Sequence, residues 1–303
     1  MFRSILISAA SAALVLVAAV ASAAKNEEPV ASVKLAPSWE SAIDEAKTLV
    51  LPIVVHHHGF YCGPCWGMHA SVMCNEKYIE FAAENTVEVI ALQDLEKGID
   101  ANDRRAATYD GKDAQGRAAK FFVEFPGLTK EQLLALHASK ASSYNDTGGI
   151  PFTVIVDPFT LAEMKRFPGG GIPAKNIMES VLEQRKTLAS RHGAGISRAK
   201  LTKVTAEVDR IAGALAKSGI AKSLADYRKL ETSVAKEPDA LRAKLEPAMK
   251  AILEAAAKEL DAAESAIASG DMAGAKKILG RLGRSLEGTD LASRAAEIAA
   301  KLN

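Results

Sequence analysis

Cysteine is scarce in this chain. Of its 303 residues only Cys62, Cys65 and Cys74 are cysteines, and all fall in one short stretch. A small fold stapled by disulfides spreads an even set of cysteines along its length. That class is excluded, and the cluster reads as a site. Surplus charge is also lacking: 38 Lys and Arg face 37 Asp and Glu. A general nucleic-acid binder needs a basic excess to release counterions from phosphates, so no nucleic acid is expected as a partner. Aromatic residues make up 5 %, no Phe or Trp lies beyond Gly170, and Tyr227 alone represents the class after it. The two halves of the chain must therefore build their cores from different side chains. Apart from Ile5 to Val20, no apolar run is long enough to cross a bilayer.

That one run has the marks of a processing segment. Arg3 precedes it, and Ala21-Ser22-Ala23 follows with the small-x-small pattern that a signal peptidase accepts. The expectation is a signal peptide over 1–24, cleaved before or after Ala24. A retained membrane anchor is the alternative. No cysteine stands at the cleavage site, which excludes a lipid-anchored form. The mature protein is thus expected to be exported, periplasmic or otherwise extracytoplasmic, and soluble. Residues 25–36 are polar, contain proline and read as a linker.

The rest divides in two. Ser38 is an N-cap candidate for a helix through Trp39, Ile43 and Ala46. Thr48 to Val55 is a β-branched and apolar run, expected to be a buried central strand. A helix should occupy Cys65 to Met73, a second Tyr78 to Ala83, and a strand Thr86 to Leu92. Gln93 to Gly149 is too long for a bare loop. An inserted lobe is expected at about 94–148, with an aromatic cluster at Phe121, Phe122 and Phe125 and a helix near Thr129 to Ser139. Pro151 to Asp157 reads as a strand, Leu161 to Phe167 as its hairpin partner, and Pro173 to Leu188 as a closing helix. After a linker at Arg191 to Gly195 everything reads helical: Leu201, Val204, Val208, Ile211 and Leu215 recur at three and four. Gly219, Gly270 and Gly288 sit where helices should stop, and Leu260 to Leu302 reads as a helix hairpin with an Ala-rich interface. The expected architecture is α/β, a central mixed sheet flanked by helices over 37–190, followed by an all-α helical domain over 196–303.

Cys62-Gly63-Pro64-Cys65 lies between the central strand and a helix. At a helix N-terminus, free N–H groups favour a thiolate. Cys62 is therefore the candidate nucleophile, attacking a disulfide to form a mixed disulfide. Cys65, one turn on, is the candidate resolving thiol. Gly63 and Pro64 shape the turn, and Pro64 suits the first helical turn because it has no N–H to lose. A zinc half-site completed by His56 to His58, or a purely structural disulfide, are the alternatives. Cys74 reads as a small buried or capping residue.

The stretch from Trp39 to about Leu188 resembles the thioredoxin family, specifically its exported thioredoxin-like branch. The resemblance rests on Tyr61-Cys62-Gly63-Pro64-Cys65, on Gly149-Ile150-Pro151-Phe152, and on the glycine turn from Phe167 to Gly170. It implies a redox-active Cys62–Cys65 disulfide with no other cofactor. It also implies a cis proline at Pro151, opposite the cysteines, and Ile150 as the residue whose backbone pairs with a bound peptide. Tyr61, Gly63, Pro64 and Trp66 would border the substrate. Disulfide-containing proteins would be the substrates and a membrane or extracytoplasmic thiol protein the redox partner. A CGPC dithiol points to reduction.

Three features depart from the family. His56 stands where the family keeps a buried acid, and is a candidate proton relay for Cys65. His58 stands where an aromatic residue is usual and, by strand alternation, shares His56's face; as an imidazolium it would favour a Cys62 thiolate. His57 should point the other way. The third departure is the insertion itself, which is expected to cover or extend the substrate groove. Two other functions stay open: a copper- or zinc-binding module built from the cysteines and histidines, and a scaffold whose helical tail docks a partner or self-associates.

Overall fold

The computed structural model describes residues 28–95, 103–113 and 116–302. Residues 1–24, expected as a signal peptide, lie outside the described residues, as do residues 25–27 and parts of the insertion.

The segment expected as a linker is tied down from Val30 on, whose N–H donates to the Val123 carbonyl at 3.0 Å. Val33, Leu35 and Ala36 are buried. Val33 N–H donates to the Met73 carbonyl and Ala36 N–H to that of Glu88, at 2.9 and 2.8 Å. Its polar composition conceals an alternation of apolar side chains that faces the core.

Helix α1 (Trp39–Leu49) begins with a reciprocal cap, Ser41 N–H to Ser38 Oγ at 3.0 Å and Ser38 N–H to Ser41 Oγ at 3.2 Å. It ends at Val50, which is left-handed (φ 52°). Pro52 follows, and strand β1 runs from Ile53 to His58. The expected strand at Thr48 to Val55 is therefore displaced: Thr48 and Leu49 close the helix, and all three histidines belong to the strand. An apolar run does not by itself separate a buried helix end from a buried strand.

Among the described residues the main sheet has four strands in the order β2-β1-β5-β6: β2 (Val87–Leu92), β5 (Phe152–Val156) and β6 (Glu163–Pro168) with β1. β1 pairs parallel to β2 and antiparallel to β5, and β5 pairs antiparallel to β6. The sheet is mixed, with β1 interior and buried at every position. In its register His56 lies between Ile90 and Thr153, and His57 between Ala91 and Phe152.

Helix α2 (Gly63–Met68) follows β1 and passes into a π-helical turn, His69–Met73; α3 (Glu76–Asn85) precedes β2. The insertion holds a hairpin, β3 (Thr108–Lys112) with β4 (Ala118–Phe122), and helix α4 (Lys130–Ala138). Its Phe122, Phe125, Leu128, Leu133 and Leu136 join the same core as β1 and β2. The lobe is thus built into the main core. Helix α5 (Ala174–His192) closes this part, keeping Arg191 and His192, so the break falls at Gly193.

The remainder is helical and has a core of its own, drawn from Val204 to Ile298, with Tyr227 its one aromatic ring. α6 (Arg198–Val234) bends at Gly219 (φ 76°), α7 is Asp239–Arg242, and α8 (Glu246–Ala268) carries Pro247 in its first turn, where no N–H is missed. α9 (Met272–Leu282) and α10 (Ala292–Ala300) follow. The expected final hairpin is corrected: Leu260 lies inside α8, and α10 adds a third helix. Ala256, Ala263 and Ala275 are buried, so the Ala-rich interface is present. Two seams join the tail to the first core. Arg198 pairs with Glu45 and donates from Nε to the Ala83 carbonyl at 2.8 Å; Lys244 pairs with Asp44. No helix among the described residues is long and apolar enough to cross a membrane.

Candidate active site at the Cys62–Cys65 turn

Cys62 is the N-cap of α2, and its Sγ accepts the Cys65 N–H at 3.2 Å. The two cysteines are bonded, with an S–S distance of 2.02 Å. Cys62 is half-buried and Cys65 fully buried. A large partner can reach only the first sulfur, and the second can be reached only from within. This asymmetry is what an attacking and a resolving thiol require.

The chain before Cys62 is held from three directions. The Asp94 carboxylate, just past β2, accepts the N–H of Phe60 and, at 2.9 Å, that of Tyr61. Trp66 Nε1 donates to the Phe60 carbonyl at 2.8 Å. Arg105, from the insertion, donates to the same carbonyl at 3.3 Å and sets its guanidinium 5.6 and 5.7 Å from the centres of the Phe60 and Trp66 rings. Gly59 marks the tightest point. A Cβ there would meet Ile150 Cδ1, and would stand 3.1 Å from Cys62 Cβ and 3.3 Å from Asp94 Oδ2.

The opposite wall comes from the start of β5, the strand next to β1, and from the turn after β6. The Ile150–Pro151 bond is cis. A Cβ on Gly170 would lie 2.7 Å from the Pro64 carbonyl oxygen and 3.1 Å from Pro151 Cγ. Gly169 N–H donates to the Pro151 carbonyl at 2.9 Å. The structure thus brings Cys62, Gly63, Pro64, Cys65, Ile150 and Pro151 together. Tyr61 is on the rim, 46 % exposed, and Trp66 lies half-buried beneath the loop.

His56 is held by partners within the sheet. Its Nδ1 is 3.0 Å from Thr153 Oγ1 and its Nε2 2.7 Å from Glu88 Oε2. Glu88 Oε1 also accepts from Tyr78 Oη at 3.1 Å and from Thr86 Oγ1 at 2.5 Å. All five side chains are buried. Both ring nitrogens of His56 are therefore engaged within the sheet, and a relay to Cys65 has no direct contact behind it. Its partner Thr153 donates from Oγ1 to Met68 Sδ at 3.7 Å, one turn past Cys65.

His58 shares His56's face as alternation requires. Its ring packs edge-on against Trp66, Phe125 and His69, with centroids at 4.8, 5.8 and 5.9 Å. Burial pushes its pKa down to about 3, reinforced by His69 and His56 and only partly opposed by the backbone of Cys65 and Gly59. His58 is neutral at neutral pH, which corrects the expectation of an imidazolium favouring the thiolate. His57 points the other way and stacks on Phe152 at 4.0 Å; burial lowers it too to about 3, and His69 to about 4. The histidine run is thus split between two sheet faces. No group of three or more His, Cys, Asp or Glu able to hold a metal occurs among the described residues. Cys74 caps the π-helical turn, half-buried, and burial pushes its thiol up to about 11.

Sequence reasoning missed Glu88, Asp94, Arg105 and Gly59, and took the glycine turn at Gly170 only as part of the resemblance. Glu88 had a signal: a lone acid in the otherwise apolar run of β2 needs buried partners. Arg105 had none, because nothing local says which way an insertion folds. No family model matches this chain, and neither does any curated protein searched.

Proposed function

We propose that the protein is an exported, thioredoxin-like thiol–disulfide oxidoreductase that reduces disulfides in proteins outside the cytoplasm. The observation that carries this is the half-exposed Cys62 and fully buried Cys65 on one helical turn, facing a cis Ile150–Pro151 bond across Gly170.

The reaction proceeds in two exchanges. The Cys62 thiolate attacks one sulfur of a substrate disulfide; a new S–S bond forms, the substrate's bond breaks, and one substrate sulfur leaves as thiolate. Cys65, as thiolate, then attacks Cys62 Sγ, forming the internal disulfide and releasing the second substrate sulfur. Two electrons pass to the substrate, and a thiol partner must return them to the Cys62–Cys65 disulfide. Ile150 offers its backbone to the bound peptide, and Tyr61, Gly63, Pro64 and Trp66 border it. The CGPC turn favours the reducing direction.

The metal-binding reading has weaker support, because His56 is engaged by Thr153 and Glu88 and His57 lies on the opposite face. The test is turnover of a disulfide substrate such as insulin with dithiothreitol as donor. Cys62→Ser should abolish it, and Cys65→Ser should accumulate a mixed disulfide with the substrate. Undiminished activity in Cys62→Ser would sink the proposal.

A further inference from the structure

The insertion places two opposite charges against the segment that leads into Cys62. Asp94 takes up the Phe60 and Tyr61 N–H groups, and its Oδ2 and the Cys62 Cβ both stand within van der Waals reach of one point beside Gly59. Only two contact distances separate the carboxylate from Cys62. Arg105 lies on the other side of the same loop, on the Phe60 carbonyl and the Phe60 and Trp66 rings. It is paired in turn with Asp103.

From this geometry we infer that Asp94 and Arg105 are positioning residues that set the ionisation of Cys62 in opposite directions, Asp94 against the thiolate and Arg105 for it. The inference rests on the proposed role of Cys62 as the attacking thiol. The physical basis is Coulombic: at the separation of Asp94 from Cys62 in a partly desolvated site, one unit charge shifts a neighbouring acid by about one pH unit, and Arg105, placed on Phe60 and Trp66, acts with the opposite sign. The other titratable groups around the loop do not supply this balance. His58 is neutral, Tyr61 is on the rim, and His69 and Glu124 lie behind Trp66 and Phe125. On β6, Arg166 is held by Glu163 and Asp146 over the Phe152 ring. Asp103 weakens Arg105's influence, so the carboxylate is expected to dominate.

The consequence is chemical. A thiol held less acidic gives a less abundant but more nucleophilic thiolate, and a reduced form that gives up its electrons more readily. The insertion would thus tune the dithiol toward reduction.

The test titrates the Cys62 thiolate by its ultraviolet absorbance in the reduced full-length chain, with Cys65→Ser, Cys74→Ser as background. Asp94→Asn, which keeps an oxygen acceptor for the loop, should lower the midpoint by about one pH unit. Arg105→Met, which keeps the packing stem, should raise it. A purely structural role would leave Asp94→Asn at the parent midpoint, or move both variants the same way; either result overturns the inference. If Asp94→Asn does not fold, Arg105→Met decides alone, an unchanged or lowered midpoint being the contrary result. The titration needs no substrate. If the parent chain fails to reduce insulin while the midpoints diverge, the functional reading falls and the electrostatic one stands.

Discussion

Gly170 touches Pro64. A Cβ on Gly170 would come 2.7 Å from the Pro64 carbonyl oxygen, a backbone atom that cannot swing aside. The glycine turn after β6 and the turn between the cysteines are therefore in contact, with Pro151 alongside at 3.1 Å. Gly170→Ala must push one of them away. A loss of about 1–3 kcal/mol is expected in denaturant unfolding, the usual cost of overpacking. Insulin reduction should fall further than stability, because the displaced atoms border the reacting sulfurs. Wild-type turnover in Gly170→Ala would mean that this contact does not shape the site.

The buried Glu88 cluster predicts a strong asymmetry between variants. Glu88→Ala leaves His56 Nε2 and Tyr78 Oη without this partner in a buried site, while Thr86 Oγ1 keeps the Ala82 carbonyl at 3.2 Å, and a loss of about 3–5 kcal/mol is expected. Tyr78→Phe removes one donor and leaves Glu88 two others, so about 1 kcal/mol is expected. Chemical denaturation of both variants measures the difference. Similar small losses in both would show that the cluster is not the buried network its distances describe.

Acid should unfold this protein through its histidines. His57 and His58 are held down to about 3 and His69 to about 4 by burial, against 6.5 in an open chain. The unfolded state therefore binds these protons first. The stability they confer is complete above pH 6.5 and is lost as pH falls from there toward 4 and 3, by about 1.4 kcal/mol per pH unit for each histidine. Urea titrations from pH 7 to 4.5 should show this slope, and His57→Phe should reduce it. A stability flat over that range would contradict the burial described.

Much of this was legible in the sequence, for identifiable reasons. The turn at Cys62–Cys65 and the glycines after Phe167 are local features that carry their own geometry, the cis state of Pro151 was expected only from the resemblance, and the structure brings the three together. Alternation placed His56 and His58 on one face and His57 on the other. The charge state of His58 was not legible, because it depends on Trp66, His69 and Phe125 closing over the ring. The start of β1 was misplaced because Thr48 to Val55 has no interruption until Pro52, while the reversal at Val50 is carried by backbone conformation alone. Glu88 and Arg105 act across 32 and 45 residues of sequence, and only the folded chain reveals such partners.

The central claim is that Cys62 and Cys65 exchange electrons with other thiols. The most direct measurement is the reduction potential of this pair, found by equilibrating the chain with glutathione and with dithiothreitol and trapping the free thiols. The account predicts reversible cycling with a potential near about −270 mV, the range of a reductase. A potential near about −120 mV would reverse the proposed direction, and a disulfide that does not exchange at all would contradict the account.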